Sequence, residues 1–171
     1  TFGVTYVIST GSMQKYLINE DGTTTLDDSF AYNKERFYEI RNVTIYQDHI
    51  LVGGYTFNEN GDKDKYGVVV YDFNGNEQMM LVADDSGYYG SGMDSIGNVA
   101  ETDNYFIVLD RSFRNILVWD KEGNWLGTVR DCDVFGTSDY TYLSGLDVVG
   151  DTIYVSLMDD RADDSWREML F

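Results

Sequence analysis

The chain contains no proline, one cysteine and one histidine, and its 12 lysines and arginines stand against 30 aspartates and glutamates. The lone cysteine, Cys132, has no partner for an internal disulfide. Its neighbours Asp131 and Asp133 disfavour the thiolate that a nucleophile needs. The single histidine, His49, falls beside Asp48 in an expected strand–strand turn and is too little for a His-rich zinc site. A net charge of −18 excludes a nucleic-acid partner, because neutralising phosphates requires clustered Lys and Arg. The same charge argues against docking on an anionic membrane. No apolar run approaches the ~18 residues of a membrane-spanning helix. There is no GxSxG, no P-loop and no GxGxxG after a strand, so the common soluble-enzyme motifs are missing.

What is present is strand chemistry. Hydrophobic residues make up 43% of the chain, with 14 tyrosines and 17 glycines, and β-branched and aromatic side chains favour half-buried pleated strands. NILVWDKEGNWLGTV, Asn115 to Val129, reads as a hairpin around a glycine turn. The pattern recurs in VVYDFNGNEQMMLV, Val69 to Val82, and in YLINEDGTTTL, Tyr16 to Leu26. Gly22, Gly75 and Gly123 each follow an Asn or Asp by three positions: Asn19, Asp72 and Asp120. A second hairpin keeps step in NVTIYQDHILVGGY from Asn42, NVAETDNYFIVLDR from Asn98 and LDVVGDTIYVSLMD from Leu146. The spacing between turn glycines is 53 and then 48 residues. Four short strands per repeat of about 50 residues is the pattern of propeller blades. Helix content is expected to be low, with Asn33 to Ile40 the one segment suited to a turn of helix.

The expected architecture is an all-β propeller of four-stranded antiparallel blades, with about three and a half blades present. The approximate units are 1–26, 38–83, 93–130 and 142–171. In this register the first unit lacks its innermost strand and the last stops before its glycine turn, so the chain reads as a fragment of a longer propeller. Exposed blade edges favour self-association.

In such a blade two kinds of connection share one rim: second strand to third, and outer strand to the next blade. Here both kinds are rich in acids and aromatics. VADDSGYYGSG carries Asp84, Asp85, Tyr88 and Tyr89, and VRDCDVFGTSDYTYLSG carries Asp131, Asp133, Tyr140 and Tyr142. LDDSFAYNKERFY carries Asp27, Asp28, Phe30 and Tyr32. NENGDKDKYG, DRSFRN and MDDRADDSW complete the rim and bring Arg111, Arg114 and Trp166. Three readings compete for these loops. Asp, Asn, Gly and Ser dominate turns for backbone reasons alone. Hard oxygen ligands on loops also suit Ca²⁺, and NENGDKD and MDDRADD, with Asp159, Asp160 and Asp163, are the places for it, although neither has EF-hand spacing. Stacking rings with carboxylates suit a glycan or peptide. The arginines either position an anionic group or relieve repulsion among the acids. A glycosidase or lyase would need two carboxyls about 5–10 Å apart, one with a raised pKa.

Glu101 to Val129 resembles the NHL-type propeller repeat. The resemblance rests on Asp103-Asn104, the strand Phe106-Ile107-Val108-Leu109, Asp110-Arg111, Val118-Trp119-Asp120 and Gly123. It is weaker over Val43 to Val82, where YTFNENGDKDKYG replaces the Asp-Arg loop. The resemblance implies a six- or seven-bladed propeller of the kind found in secreted or lipid-anchored bacterial proteins and used for binding. The expected role is non-catalytic binding of a glycan, peptide or protein at an extracellular or cell-surface location.

Overall fold

The computed structural model describes residues 3–83, 93–130, 141–150, 152–159 and 167–170. These residues form an all-β chain, without a helix among them, in four antiparallel sheets that follow one another along the sequence. The first sheet is β1 (Gly3–Ser9), β2 (Ser12–Ile18) and β3 (Thr24–Leu26). The second is β4 (Phe37–Tyr46), β5 (His49–Phe57), β6 (Lys63–Tyr71) and β7 (Glu77–Leu81). The third is β8 (Ile96–Glu101), β9 (Tyr105–Asp110), β10 (Asn115–Asp120) and β11 (Trp125–Arg130). The fourth is β12 (Thr141–Val149), β13 (Thr152–Asp159) and β14 (Arg167–Leu170).

Each sheet is a meander of sequential neighbours. The middle strands read as continuous apolar runs because both faces are covered. In β5 and β6, Leu51, Val68 and Val70 face the third sheet, where they meet Val99, Phe106, Val108, Leu117 and Trp119. Their alternates Ile50, Val52, Val69 and Tyr71 face the first sheet and pack with Met13, Tyr32 and Phe37. In β9 the same alternation sends Phe106 and Val108 one way and Ile107 and Leu109 the other, onto Leu143, Leu146, Val155 and Leu157 of the fourth sheet. Burying each such side chain contributes about 1.5–3 kcal/mol relative to exposure. Leu143 and Leu146 are three apart yet share a face because the β12–β13 register shifts between Leu143 and Gly145. One extra residue in a bulge restores the alternation.

The first strands of successive sheets lie side by side: β4 against β8, and β8 against β12. Side chains stitch them together. Asn42 Nδ2 donates to Gly97 O and Thr44 Oγ1 to Val99 O, at 3.2 and 2.8 Å. Trp119 Nε1 donates to Val82 O at 3.0 Å, tying the third sheet to the end of the second.

The glycine turns share one chemistry. In Asp72–Asn76 and Asp120–Asn124 the aspartate Oδ1 accepts the amide of the asparagine four residues on, at 2.9 and 2.8 Å, and Oδ2 accepts its side-chain amide. Gly75 and Gly123 take φ of 85° and 83°, a left-handed conformation glycine adopts without strain. The turn at Asn58–Asp62 repeats the arrangement with Gly61, φ 80°, at the opposite end of the sheet.

Two local expectations change. Asn33 to Arg36 is a single turn, with Asn33 Oδ1 accepting the Glu35 amide, and β4 begins at Phe37. No helix forms because the strand pairing of Phe37 with Thr56 takes the chain over. Phe30 and Tyr32 do not stand in a rim loop: they pack between the first two sheets. Their segment crosses that face, with the Ala31 amide on Asn74 O and Arg36 Nη1 on Phe57 O.

Candidate functional site

The β5–β6 and β9–β10 connections and the starts of β4 and β8 lie at one end of the sheets. Asp110, at the end of β9, is 1% exposed. Its Oδ2 accepts the amides of Asp94 and Ser95 at 2.6 and 3.3 Å, and its Oδ1 accepts that of Phe113 at 3.0 Å. Arg111 follows. Its amide donates to Ser95 O, its stem lies over Gly97, and Nη2 reaches Ser144 O on β12 at 3.0 Å. This places Arg111 as a strap between the third and fourth sheets. Arg114 closes the same connection with φ 56°.

Of the other rim residues singled out in the sequence, Asp84, Asp85, Tyr88, Tyr89, Asp131, Asp133, Tyr140, Asp160, Asp163 and Trp166 lie outside the described residues. So does Cys132. Tyr142 and Asp159 belong to the paired end of β12 and β13, in the register Thr141–Asp159 and Tyr142–Met158. In NENGDKD, the side-chain oxygen of Asn58 accepts the amides of Asn60 and Asp62, so the turn already uses the oxygen a cation would take. Among the described residues no cluster of three or more His, Cys, Asp or Glu converges on one point.

A cleft at this end is lined by Tyr38 and Glu39 of β4, Tyr55 of β5, Lys65 and Tyr66 of β6, and Met93 and Asp94 before β8. Its volume is about 460 Å³. The local sequence explains how it forms. The β4–β5 register shifts between Phe37 and Glu39, and the β5–β6 register between Tyr55 and Phe57. Bulges re-aim side chains out of the regular alternation. Phe37 goes into the core while Tyr38 stays 44% exposed. Gly54 lets β4 lean in, since a Cβ there would collide with the carbonyl oxygen of Glu39.

The rings form walls rather than a flat platform. Tyr55 and Tyr66 are cross-strand partners with centroids 4.8 Å apart and planes at 60°. Tyr38 meets Tyr55 edge-on at 6.3 Å and 80°, and Phe57 at 5.9 Å and 88°. The Lys63 ammonium lies 3.4 Å from the Tyr38 ring centroid. Glu39 pairs with Arg41 at 3.1 Å. None of these tyrosines is singled out in the sequence: Tyr38 and Tyr66 stand at the ends of the rim segments LDDSFAYNKERFY and NENGDKDKYG, and Tyr55 ends an apolar strand.

A second polar cluster sits at the opposite end. Glu101 on β8 is 2% exposed; its Oε1 accepts from Lys121 Nζ and lies 2.8 Å from His49 Nδ1, while its Oε2 has no partner among the described residues. The Lys121 ammonium and the His49 ring both pack on Phe106, at 4.5 and 6.0 Å from its centroid. His49 therefore belongs to a partly buried cluster and not to a bare turn.

The displaced carboxyls among the described residues, Asp21, Asp27, Asp72 and Asp120, are all held below the usual aspartate range. The main cause is a side-chain hydrogen bond, from Thr23, Ser29, Asn76 and Asn124 respectively. Tyr32 and Tyr71 are raised by burial.

No protein-family model matches this chain, and a comparison with curated proteins finds no match.

Proposed function

We propose that this chain is a segment of a β-propeller, of the kind its NHL-like stretch resembles, whose role is non-catalytic binding. Successive four-stranded meanders with their first strands adjacent support the architecture. The tyrosine-walled cleft carries the functional reading: it offers three rings, an ammonium and two carboxylates on loops and strand ends held by a packed scaffold. The ligand is a glycan or peptide taken from outside the cell.

The test is calorimetric titration with oligosaccharides and short peptides, on the wild-type chain and on Tyr55→Leu. Saturable binding that the substitution weakens is the expected result. A ligand bound equally well by both, or steady turnover of an oligosaccharide, would reject the reading.

A further inference from the structure

We infer that the cleft of Tyr38, Tyr55 and Tyr66 selects an alkylammonium group, and that its ligand is a primary amine such as a lysine side chain or a small polyamine. The inference rests on the cleft being the ligand site and adds the chemical class of what enters it.

Ring geometry separates the two kinds of aromatic site. A sugar stacks on one broad, flat face, whereas a cation gains from several π-faces that converge on it. Here the lining rings stand at 60°, Tyr55 to Tyr66, and at 80°, Tyr38 to Tyr55. Such angles build a corner with several faces and edges, not a coplanar platform. A second observation is independent of that geometry. An ammonium already lies on one of these rings, Lys63 Nζ at 3.4 Å from the Tyr38 centroid, well inside the ~6 Å range of cation–π attraction. Lys63 takes that face of Tyr38 for itself, so an entering ammonium meets Tyr55, Tyr66 and the rest of Tyr38.

Charge points the same way. Asp94 lines the cleft beside the rings, as does Glu39, whose charge Arg41 at 3.1 Å partly offsets, and the whole chain carries −18, which raises the local concentration of cations. Lys65 also lines the cleft, but it is exposed and lies 3.9 Å from Asp64, which offsets its charge. The cleft volume of about 460 Å³ suits an extended amine better than a single ion.

Calorimetry at low salt with putrescine, the N-formylated and C-amidated tripeptide Gly-Lys-Gly, whose only amine is the lysine side chain, and its Nε-acetylated form tests this. Both amines should bind and the acetylated peptide should not, since acetylation removes the charge. Tyr55→Leu and Tyr38→Leu should each weaken binding about 3- to 30-fold. Tyr38 is 44% exposed, so its replacement leaves the core filled, and a thermal melt of each variant confirms folding. The tighter of putrescine and Gly-Lys-Gly identifies the source of the amine. Amine binding that ignores both substitutions would reflect the net charge alone and overturn the inference. If only the acetylated peptide or a neutral oligosaccharide bound, in a Tyr55-dependent way, the ammonium inference would fail while the cleft remained the ligand site. If no ligand responded to Tyr55→Leu, both readings would fall together.

Discussion

The carboxylate of Asp110 accepts the amide of Asp94 at 2.6 Å, so the last residue of β9 anchors the chain that enters β8. With Ser95 and Phe113 it satisfies three backbone donors from two connections. One side chain at 1% exposure therefore holds the end of the molecule on which the cleft is built.

Asp110→Ala should cost about 2–4 kcal/mol, since hydrogen bonds to a charged group are worth about 1.5–3 kcal/mol and buried donors lose their partner. Urea unfolding should show a lower midpoint at unchanged slope. A wild-type midpoint would mean that the connections hold each other without Asp110.

Acid should weaken the chain through its glycine turns. Asp72 and Asp120 are held below their usual pKa, mainly by the side chains of Asn76 and Asn124. A depressed folded pKa contributes stability above the unfolded value, and that stability is lost as pH falls through the folded value. The melting temperature should thus hold at neutral pH and drop as pH falls below about 4. Asp72→Asn/Asp120→Asn, which keeps one acceptor and removes the titration, should flatten that drop. Melting curves from neutral pH down to strongly acidic buffer decide it.

Much of this fold is legible in the sequence. Runs such as Leu51-Val52, Val68-Val69-Val70 and Phe106-Ile107-Val108-Leu109 declare strands covered on both faces, and the Asp-x-x-Gly-Asn turns mark the hairpins between them. The same turn at Asn58–Asp62 was hidden because its residues lie in an acid-rich stretch that suggests a cation loop. The cleft was hidden for a different reason. Tyr38 and Tyr66 stand at the ends of two acid-rich segments and Tyr55 ends an apolar strand, and only the bulges beside Phe37 and Phe57 turn them to one place. Arg111 reads from sequence either as a group for an anion or as a partner for nearby acids; the contact to the β12 carbonyl of Ser144 depends on the packing of two sheets. His49, Glu101 and Lys121 come from three hairpins, so their meeting depends on how two sheets register.

That cluster gives an asymmetric prediction. Removing one member of a buried ion pair leaves an uncompensated charge and costs about 3–5 kcal/mol, whereas replacing both by apolar groups is often near neutral. Lys121→Leu should therefore destabilise the chain more than Glu101→Leu/Lys121→Leu does. Denaturant midpoints of the wild type, both single variants and the double variant give the coupling directly. Additive effects would show that Lys121 contributes by packing on Phe106 rather than through Glu101.

Tyr32 and Tyr71 meet in the same core with centroids 5.5 Å apart and planes tilted at 56°, with opposite hydrogen-bonding fates. Tyr32 donates its hydroxyl to Gly11 O at 3.0 Å, while the Tyr71 hydroxyl is buried without a partner among the described residues. Tyr32→Phe should lose about 1 kcal/mol and leave a carbonyl unpaired; Tyr71→Phe removes a desolvated hydroxyl and should be neutral or stabilising by a similar amount. Alkali separates them further. Burial raises both phenols above their usual value near 10. A raised folded pKa contributes stability below the unfolded value and loses it as pH rises toward the folded one. Stability should thus fall above about pH 10, and less steeply in Tyr71→Phe. The tyrosinate absorbance of these two rings should appear only as the chain unfolds. If Tyr71→Phe proved as damaging as Tyr32→Phe, the Tyr71 hydroxyl would have to be held by a bond of its own.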